Sequence, residues 1–406
     1  MRFGAAVAIA GLILGAEAGA QGNPQSGVLQ ALGAAPAELP EGGVYIPSTL
    51  DTVQWGSLPN RDTAALLTVS SGTVVTFDTV SHEGILEDQG RDPVAYFGTH
   101  GVAPDQVLED ARTIAASGLA HDFAGDGPHV VTGPVAIDGA QPGDVLKIEV
   151  LTLAPRVPYG VISSRHGKGA LPGEFPETDA PRGGAAAARP ELYNNVSIFT
   201  RIEEIHGAQY AILHNRDGEE VRFAISPFLG IMGVAPDTSE KVNSIPPADY
   251  GGNLDINELG VGSTLYLPVQ VPGALFYTGD PHYAQGDGEV ALTALEAPLR
   301  ATVRLTLLAA GDAGIPGGSP FTQPFAETAD YWIPIGLHAD LDEAMKQAVR
   351  EGVDFLSESL GVDRATAYAY LSAATDFEVS QVVDRTKGVH GLIRKADFAE
   401  TTFQLR

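Results

Sequence analysis

Three short segments place ionisable side chains in turns rich in glycine or proline, where rigid strands can hold reacting groups. Ser81-His82-Glu83-Gly84 follows a β-branched run that ends at Val80. Ala120-His121-Asp122-Phe123 precedes Gly127-Pro128-His129-Val130. The densest segment runs from Gly279 to Glu289, where Asp280, Asp287, Glu289 and His282 share eleven residues with three glycines. Carboxylate plus imidazole is a donor set that suits a divalent metal such as zinc, which can activate water near neutral pH. The spacing matches neither His-Glu-x-x-His nor an EF-hand loop. Each residue also has a plainer reading. Asp280 and Asp287 suit turns, Gly251-Gly252-Asn253-Leu254-Asp255 suits an Asx-type turn, and a lone His82 or His129 suits a hydrogen-bonded structural histidine. Thr386-Lys387-Gly388-Val389-His390 has the same ambiguity, while His206, His214 and His338 sit in ordinary polar surroundings.

Other chemistries are excluded by absence. The 406 residues contain no cysteine, which removes disulfides, thiolate metal sites and cysteine nucleophiles. There is no Gly-x-Ser-x-Gly elbow, no P-loop and no Gly-x-Gly-x-x-Gly opening a helix. With 24 basic and 51 acidic residues the formal charge is −27, the wrong sign for a nucleic-acid binder. Hydrophobic residues make up 44% and charged residues 18%, the composition of a folded chain with a large core. Metal-assisted hydrolysis survives this elimination.

The elements that must position these groups are mostly strands. Glycine (48) and proline (28) are in excess, which favours many turns and short strands. Thr73 to Val80 is β-branched and turn-bounded. Leu146, Ile148 and Val150, then Leu265, Leu267, Val269 and Val271, then Val303, Leu305 and Leu307, each alternate with other residues as a half-buried strand does. Near the C-terminus the period changes. Leu341, Met345, Val349, Val353, Leu356 and Leu360 form a helical stripe, with Asp340 as N-cap, Glu343 at the capping-box position and Gly361 as the stop. A second short helix is expected from Asp363 to about Ala374, and a strand from Phe377 to Val383. The expected fold is mainly β, a β-sandwich-like core with a smaller C-terminal α+β portion. Its parts are a signal peptide at 1–20, an extended lead-in at 21–60, a β-rich catalytic core at 61–310 and the α+β portion at 311–406.

The leader reading rests on Arg2, an uncharged apolar run from Phe3 to Ala16, and the small-x-small site Ala18-Gly19-Ala20. It implies a periplasmic or secreted protein, with no membrane attachment after cleavage. Residues 176–190 read as a surface loop.

Several glycine-rich blocks resemble one family. Ile225-Ser226-Pro227-Phe228-Leu229-Gly230-Ile231-Met232-Gly233-Val234-Ala235-Pro236 is similar to the central block of the acetamidase/formamidase family. Gly251-Gly252-Asn253-Leu254-Asp255, the run from Gly262 to Phe276, and Gly279 to Glu289 follow in the family's order. Thr132-Gly133-Pro134 and Gly139 to Leu146 fit upstream, and Gln381 to His390 fits downstream. The likeness spans roughly Val74 to Phe398. It implies hydrolysis of a small linear amide to a carboxylate and ammonia by a metal-containing homo-oligomer. The departures are Ser81-His82-Glu83-Gly84, where shorter relatives carry an Asp-rich turn, extra segments around Phe97–Leu119 and Ser163–Arg189, and the leader. These point to a substrate larger than formamide or acetamide.

On this reading a divalent cation, zinc first and calcium as the alternative, is held by His129, Asp280 and His282, with His82 and Asp255 in reserve. Glu289 is the expected general base, Asp287 its substitute, and Lys387 a fixed charge for the oxyanion. The rival readings are a secreted β-sandwich binding protein with a structural metal and no turnover, and a lactam hydrolase on the same scaffold.

Overall fold

The computed structural model describes residues 32–177, 196–316 and 321–399. The leader, the first part of the lead-in and most of the 176–190 loop lie outside these described residues. The molecule is mainly β. Among the described residues one sheet has nine strands, in the order Val44–Ile46, Thr73–Asp78, Leu299–Leu308, Val145–Pro155, Thr264–Pro268, Phe325–Glu327, Tyr331–His338, Lys387–Arg394 and Asp376–Gln381. A second large sheet, of eleven strands, centres on Phe276–Ala284, flanked by Phe228–Gly233, Leu295–Glu296 and Val130–Ile137, and Ser57–Leu58 pairs with Val242–Asn243 in a small third one.

The two sheets share one core, as the alternation requires. Leu146, Ile148, Val150, Leu265, Leu267, Val303 and Leu305 are buried from the first sheet, and Val131, Leu229, Ile231, Phe276 and Tyr283 from the second. Phe77 and Phe276 meet edge to face across the gap, 5.8 Å between ring centres. Lys147, Glu149, Arg304 and Thr306 point the other way and stay partly exposed. The central strands of the second sheet lose this alternation: every residue of Val130–Ile137 and Phe228–Gly233 is buried. Such strands are covered on both faces, and they carry or adjoin several of the functional groups.

The C-terminal helices form where their caps predict them. Leu341–Leu360 starts at Asp340, whose carboxylate accepts from the amides of Asp342 and Glu343. Arg364–Ala374 starts at Asp363, which accepts from Thr366 N–H. Two details differ from the sequence reading. Glu343 pairs with Lys346 rather than closing a capping box. Met345 of the expected stripe is 39% exposed, whereas Val353, Leu356 and Leu360 are buried as expected, together with Ala344, Ala348, Gly352, Phe355 and Ser359. Close approach explains the shift. A Cβ on Gly336 would fall 2.1 Å from Ala344 O and 2.5 Å from Ala348 N, so the helix rides directly on a strand that only small residues can meet. The strand expected from Phe377 to Val383 is Asp376–Gln381.

A buried ionic network anchors the strand that leads to His82. Arg156 is 1% exposed and donates to Thr79 O at 2.9 Å, Asp110 Oδ2 at 2.6 Å and Leu32 O at 3.0 Å. Arg300 grips Asp78 through both carboxylate oxygens at 2.7 and 2.9 Å, and donates to Ala34 O at 2.6 Å. The described part of the lead-in therefore packs on its own chain. Removing one partner of a buried pair strands the other charge, at about 3–5 kcal/mol. Arg156→Met is expected to lower the urea midpoint by a corresponding amount, and an unchanged midpoint in chemical denaturation would refute the anchoring role.

Candidate active site

One face of the second sheet, with loops from the first, gathers eight buried ionisable side chains: His82, His129, Asp255, Asp280, His282, Glu289, Glu296 and Asp384. Asp280 and His282 come from Phe276–Ala284, and Glu296 from its neighbour Leu295–Glu296, with Cα atoms of His282 and Glu296 in register. His129 immediately precedes Val130–Ile137, and His82 lies in the turn after Thr73–Asp78. Asp255, Asp280 and Glu289 adopt positive φ (51°, 49° and 47°), a conformation that costs energy for a residue with a side chain. Three such residues in one cluster mark a site where geometry takes precedence over local stability.

Asp280 is the hub. Its Oδ2 is 3.2 Å from His282 Nε2 and 3.6 Å from His129 Nε2, and its Oδ1 is 3.6 Å from His82 Nδ1. His282 Nε2 also lies 3.1 Å from Glu296 Oε1. Behind the histidines stand groups that orient them. His129 Nδ1 is 3.0 Å from Ser244 Oγ, which leaves Nε2 to face Asp280. Glu83 Oε1 is 3.4 Å from His82 Nε2, and Glu83 is itself held by Ser163 Oγ at 2.7 Å, Arg165 at 3.3 Å and Gln89. A carboxylate or hydroxyl behind each imidazole is the arrangement that fixes a metal-binding histidine's tautomer.

Electrostatics divide the cluster. At His82 burial disfavours the charged ring, yet Glu296, Asp280 and Glu83 together raise its pKa to about 10. His129 moves the opposite way, to about 4, because burial outweighs the attraction of Asp280 and two histidine charges add to it. Burial lifts Glu289 well above the usual carboxylate range, and the charges of Asp255, Glu296 and Asp280 reinforce it. Burial also raises Asp255 and Asp384, each further raised by a neighbouring carboxylate. Asp280 stays well below its ordinary value despite burial, because His129 and His282 face it.

These residues fit a cation. Both nitrogens of His82 and His282, both oxygens of Asp255, Asp280 Oδ1 and Glu296 Oε2 are buried without a hydrogen-bond partner. Leaving so many polar atoms unsatisfied would cost roughly 1–3 kcal/mol apiece. His82, His129 and Asp280 offer donor atoms within 4.8 Å of one another, as do Asp255, Asp280 and His282, and also His282, Glu289 and Glu296. Gly230 forms the floor: an added Cβ would lie 2.5 Å from Asp255 Oδ1 and 2.7 Å from Asp280 Oδ2.

Of the residues singled out from sequence, His82, His129, Asp255, Asp280, His282 and Glu289 converge. Lys387 does not. Its Nζ donates to Ala339 O on an exposed edge, so it cannot stabilise an oxyanion here. Asp287 turns away as well: it accepts from Asn257 and faces Glu258, Glu378 and His390. Sequence reasoning missed Glu296, Asp384, Ser244 and the orienting role of Glu83. Glu83 and Asp384 lay inside segments already noted, whereas Glu296 sits in Leu295-Glu296-Ala297, which carries no signal.

The site opens into a cavity of about 380 Å³ lined by His82, His129, Asp280, Glu289, Glu296 and Asp384 on one side. His121, Phe123, Ile245, Leu292 and Val383 line it too, with Arg165, Lys168 and Arg385 as its cations.

The sequence profile of the acetamidase/formamidase family matches residues 120–243 and 237–393. The chain belongs to the acetamidase/formamidase family. A formamidase of Methylophilus methylotrophus is 25% identical over 309 residues, 63% of this chain and 73% of that protein. An acetamidase of Mycolicibacterium smegmatis is 25% identical over 199 residues, 40% of this chain and 49% of its own length. The fold is also that of a solved acetamidase from Bacillus halodurans, with a TM-score of 0.65, 24% identity and coverage of 88% of this chain and 99% of that one. The acetamidase/formamidase family match includes His129, Asp255, Asp280, His282, Glu289, Glu296 and Asp384, while His82 precedes it.

Gly230→Ala is expected to push Asp255 and Asp280 apart and lower the metal bound per folded chain, measured by plasma emission beside circular dichroism. Unchanged metal content would refute the cradle.

Proposed function

We propose that this site hydrolyses the carbon–nitrogen bond of a primary amide, R–CO–NH2 plus water giving R–COO⁻ and NH4⁺, with a divalent metal, zinc first, as cofactor. The chain is an amidohydrolase by family, and the relatives named formamidase and acetamidase support linear amides as its substrates. One observation carries the metal reading: His82 and His129 turn ring nitrogens toward Asp280 while Glu83 and Ser244 stand behind the rings. His82, His129 and Asp280 are the proposed ligands, with His282 and Asp255 beside them. An ion held there would polarise an amide carbonyl and acidify a water.

The chain's own groups do the rest. Glu289 lines the cavity and lies beside the ligands, so its carboxylate can take a proton from water and return it to the departing nitrogen, which must leave protonated. Burial keeps its proton affinity high, as that return step requires. Glu296 lies across the strand pair from His282, its Oε1 3.1 Å from Nε2, where it can pair with that ring when the ring is protonated. The mixed imidazole and carboxylate donors support an enzyme over a calcium-binding module, because Ca²⁺ favours an all-oxygen shell.

The cavity supports a substrate larger than acetamide. At about 380 Å³ it has the size of a pocket for a small organic ligand, and Phe123, Ile245, Leu292 and Val383 offer an apolar wall. The leader-like residues 1–20 support an exported location.

Glu289→Gln is expected to lower kcat by about 10²–10⁴-fold with metal content retained, read as ammonia release. Full activity with the metal in place would remove the proton-transfer role. Across formamide, acetamide, propionamide and butyramide, kcat/KM is expected to rise by up to about fourfold per buried methylene, and to collapse in chelator. A maximum at formamide would refute the larger substrate.

A further inference from the structure

A second cluster of donor groups lies outside the cavity, where the C-terminal strands meet the loops that carry Asp255 and Glu289. Its centre is His390, 0% exposed on the strand Lys387–Arg394. Glu378 is its direct cross-strand neighbour on Asp376–Gln381. His390 Nε2 is 3.1 Å from Glu258 Oε2 and 3.5 Å from Glu378 Oε2. One donor atom from each of the three lies within 4.8 Å of the others. Asp287 faces the same group, hydrogen-bonding with Glu378 and feeling the charges of His390 and Glu258.

Two features separate this cluster from a solvated patch of acids. His390 Nε2 and Glu258 Oε2 are both buried and make no hydrogen bond of acceptable geometry, even though they lie so close. The other ring nitrogen is occupied, with Nδ1 2.8 Å from Ser380 Oγ. When Nδ1–H donates to that hydroxyl, the lone pair on Nε2 points at the carboxylates, the tautomer a metal ligand needs. Access is open, because the side chain of Glu378 is 32% exposed and Asp287 lies at the surface.

We propose that Glu258, Glu378 and His390, with Asp287 beside them, bind a second divalent transition-metal ion of the zinc or manganese class. One imidazole among carboxylates suits such an ion better than calcium. The ion is structural. The strand Asp376–Gln381 already joins the 285–289 loop through Gly288 N–H to Ser380 O at 3.1 Å, Val382 N–H to Gly288 O at 3.2 Å and Gln285 Nε2 to Ser380 O at 3.1 Å. Gln285 Nε2 also donates to Asp255 O at 2.9 Å. A metal between Glu258, three residues after Asp255, and Glu378 would tie the C-terminal strands to both loops that present active-site carboxylates.

The test is zinc stoichiometry of the full chain after saturation with Zn²⁺ and removal of loosely held ion, with thermal melting beside it. Glu378→Gln and His390→Gln are each expected to bind one ion fewer than the unsubstituted chain, and to lose part of the rise in Tm that zinc produces. His82→Asn is expected to remove a different ion. Equal zinc content in Glu378→Gln and the unsubstituted chain overturns the second site, and shows His390 instead as a protonated ion-pair partner. Unchanged zinc in His82→Asn would count against the catalytic metal and leave the second site standing.

Discussion

Five carboxylates cannot be buried around one point unless something neutralises them, and the arrangement of this protein depends on how that is done. Asp255, Asp280, Glu289, Glu296 and Asp384 share an interior with three histidines. Asp280 keeps its charge because imidazoles face it, while burial and mutual repulsion drive Asp255, Glu289 and Asp384 toward the protonated form. An ion at the hub would reverse that tendency for the groups nearest it. The unsatisfied ring nitrogens of His82 and His282 point to the same need for a cation.

Holding such a cluster takes a stiff frame, and the doubly covered strands supply it. Asp280 and His282 lie on a strand whose one edge meets Val130–Ile137, which His129 precedes, and Leu295–Glu296, while Phe228–Gly233 covers the other edge. His82 comes from the other sheet, so the two layers must not slide. The Arg156 and Arg300 contacts to Asp78, Thr79 and Asp110 pin that strand end just before the His82 turn. Like charges are thus kept apart or paired by the packing of the sandwich rather than by loops alone.

Some of this was legible in the chain and some was not. Alternation located the strands around Leu146 and Val303, where one face is partly exposed, whereas around Leu265 the alternate residues Thr264 and Tyr266 are buried too, Tyr266 in the core shared with the C-terminal helices. The C-terminal helices were legible from Asp340 and Asp363, because a cap is a local interaction. Val353, Leu356 and Leu360 are buried as their spacing predicts, but the buried face of that first helix's N-terminal half was not legible. Met345 is more apolar than Ala344, but the strand beneath, with Gly336 at the contact, admits only small residues. Lys387 and Asp287 were misplaced for a related reason: neighbours in sequence point to opposite faces of a strand or leave a turn in different directions. Asp287 and Glu289 are two residues apart and serve different clusters.

Residue types and local order settled the kind of chemistry available: no thiol, no phosphate loop, histidines and carboxylates in glycine-rich turns between strands. They also settled the fold class, because periodicity and caps act over a few residues. Tertiary structure decided which of the candidates converge and which unmarked residues join them. Glu296 beside His282, Glu83 behind His82 and Ser244 behind His129 are contacts between distant segments. A residue's own neighbourhood in the chain holds no trace of such contacts, since long-range pairing and burial determine them, and burial is also what turns ordinary carboxylates into groups that hold protons or bind metal.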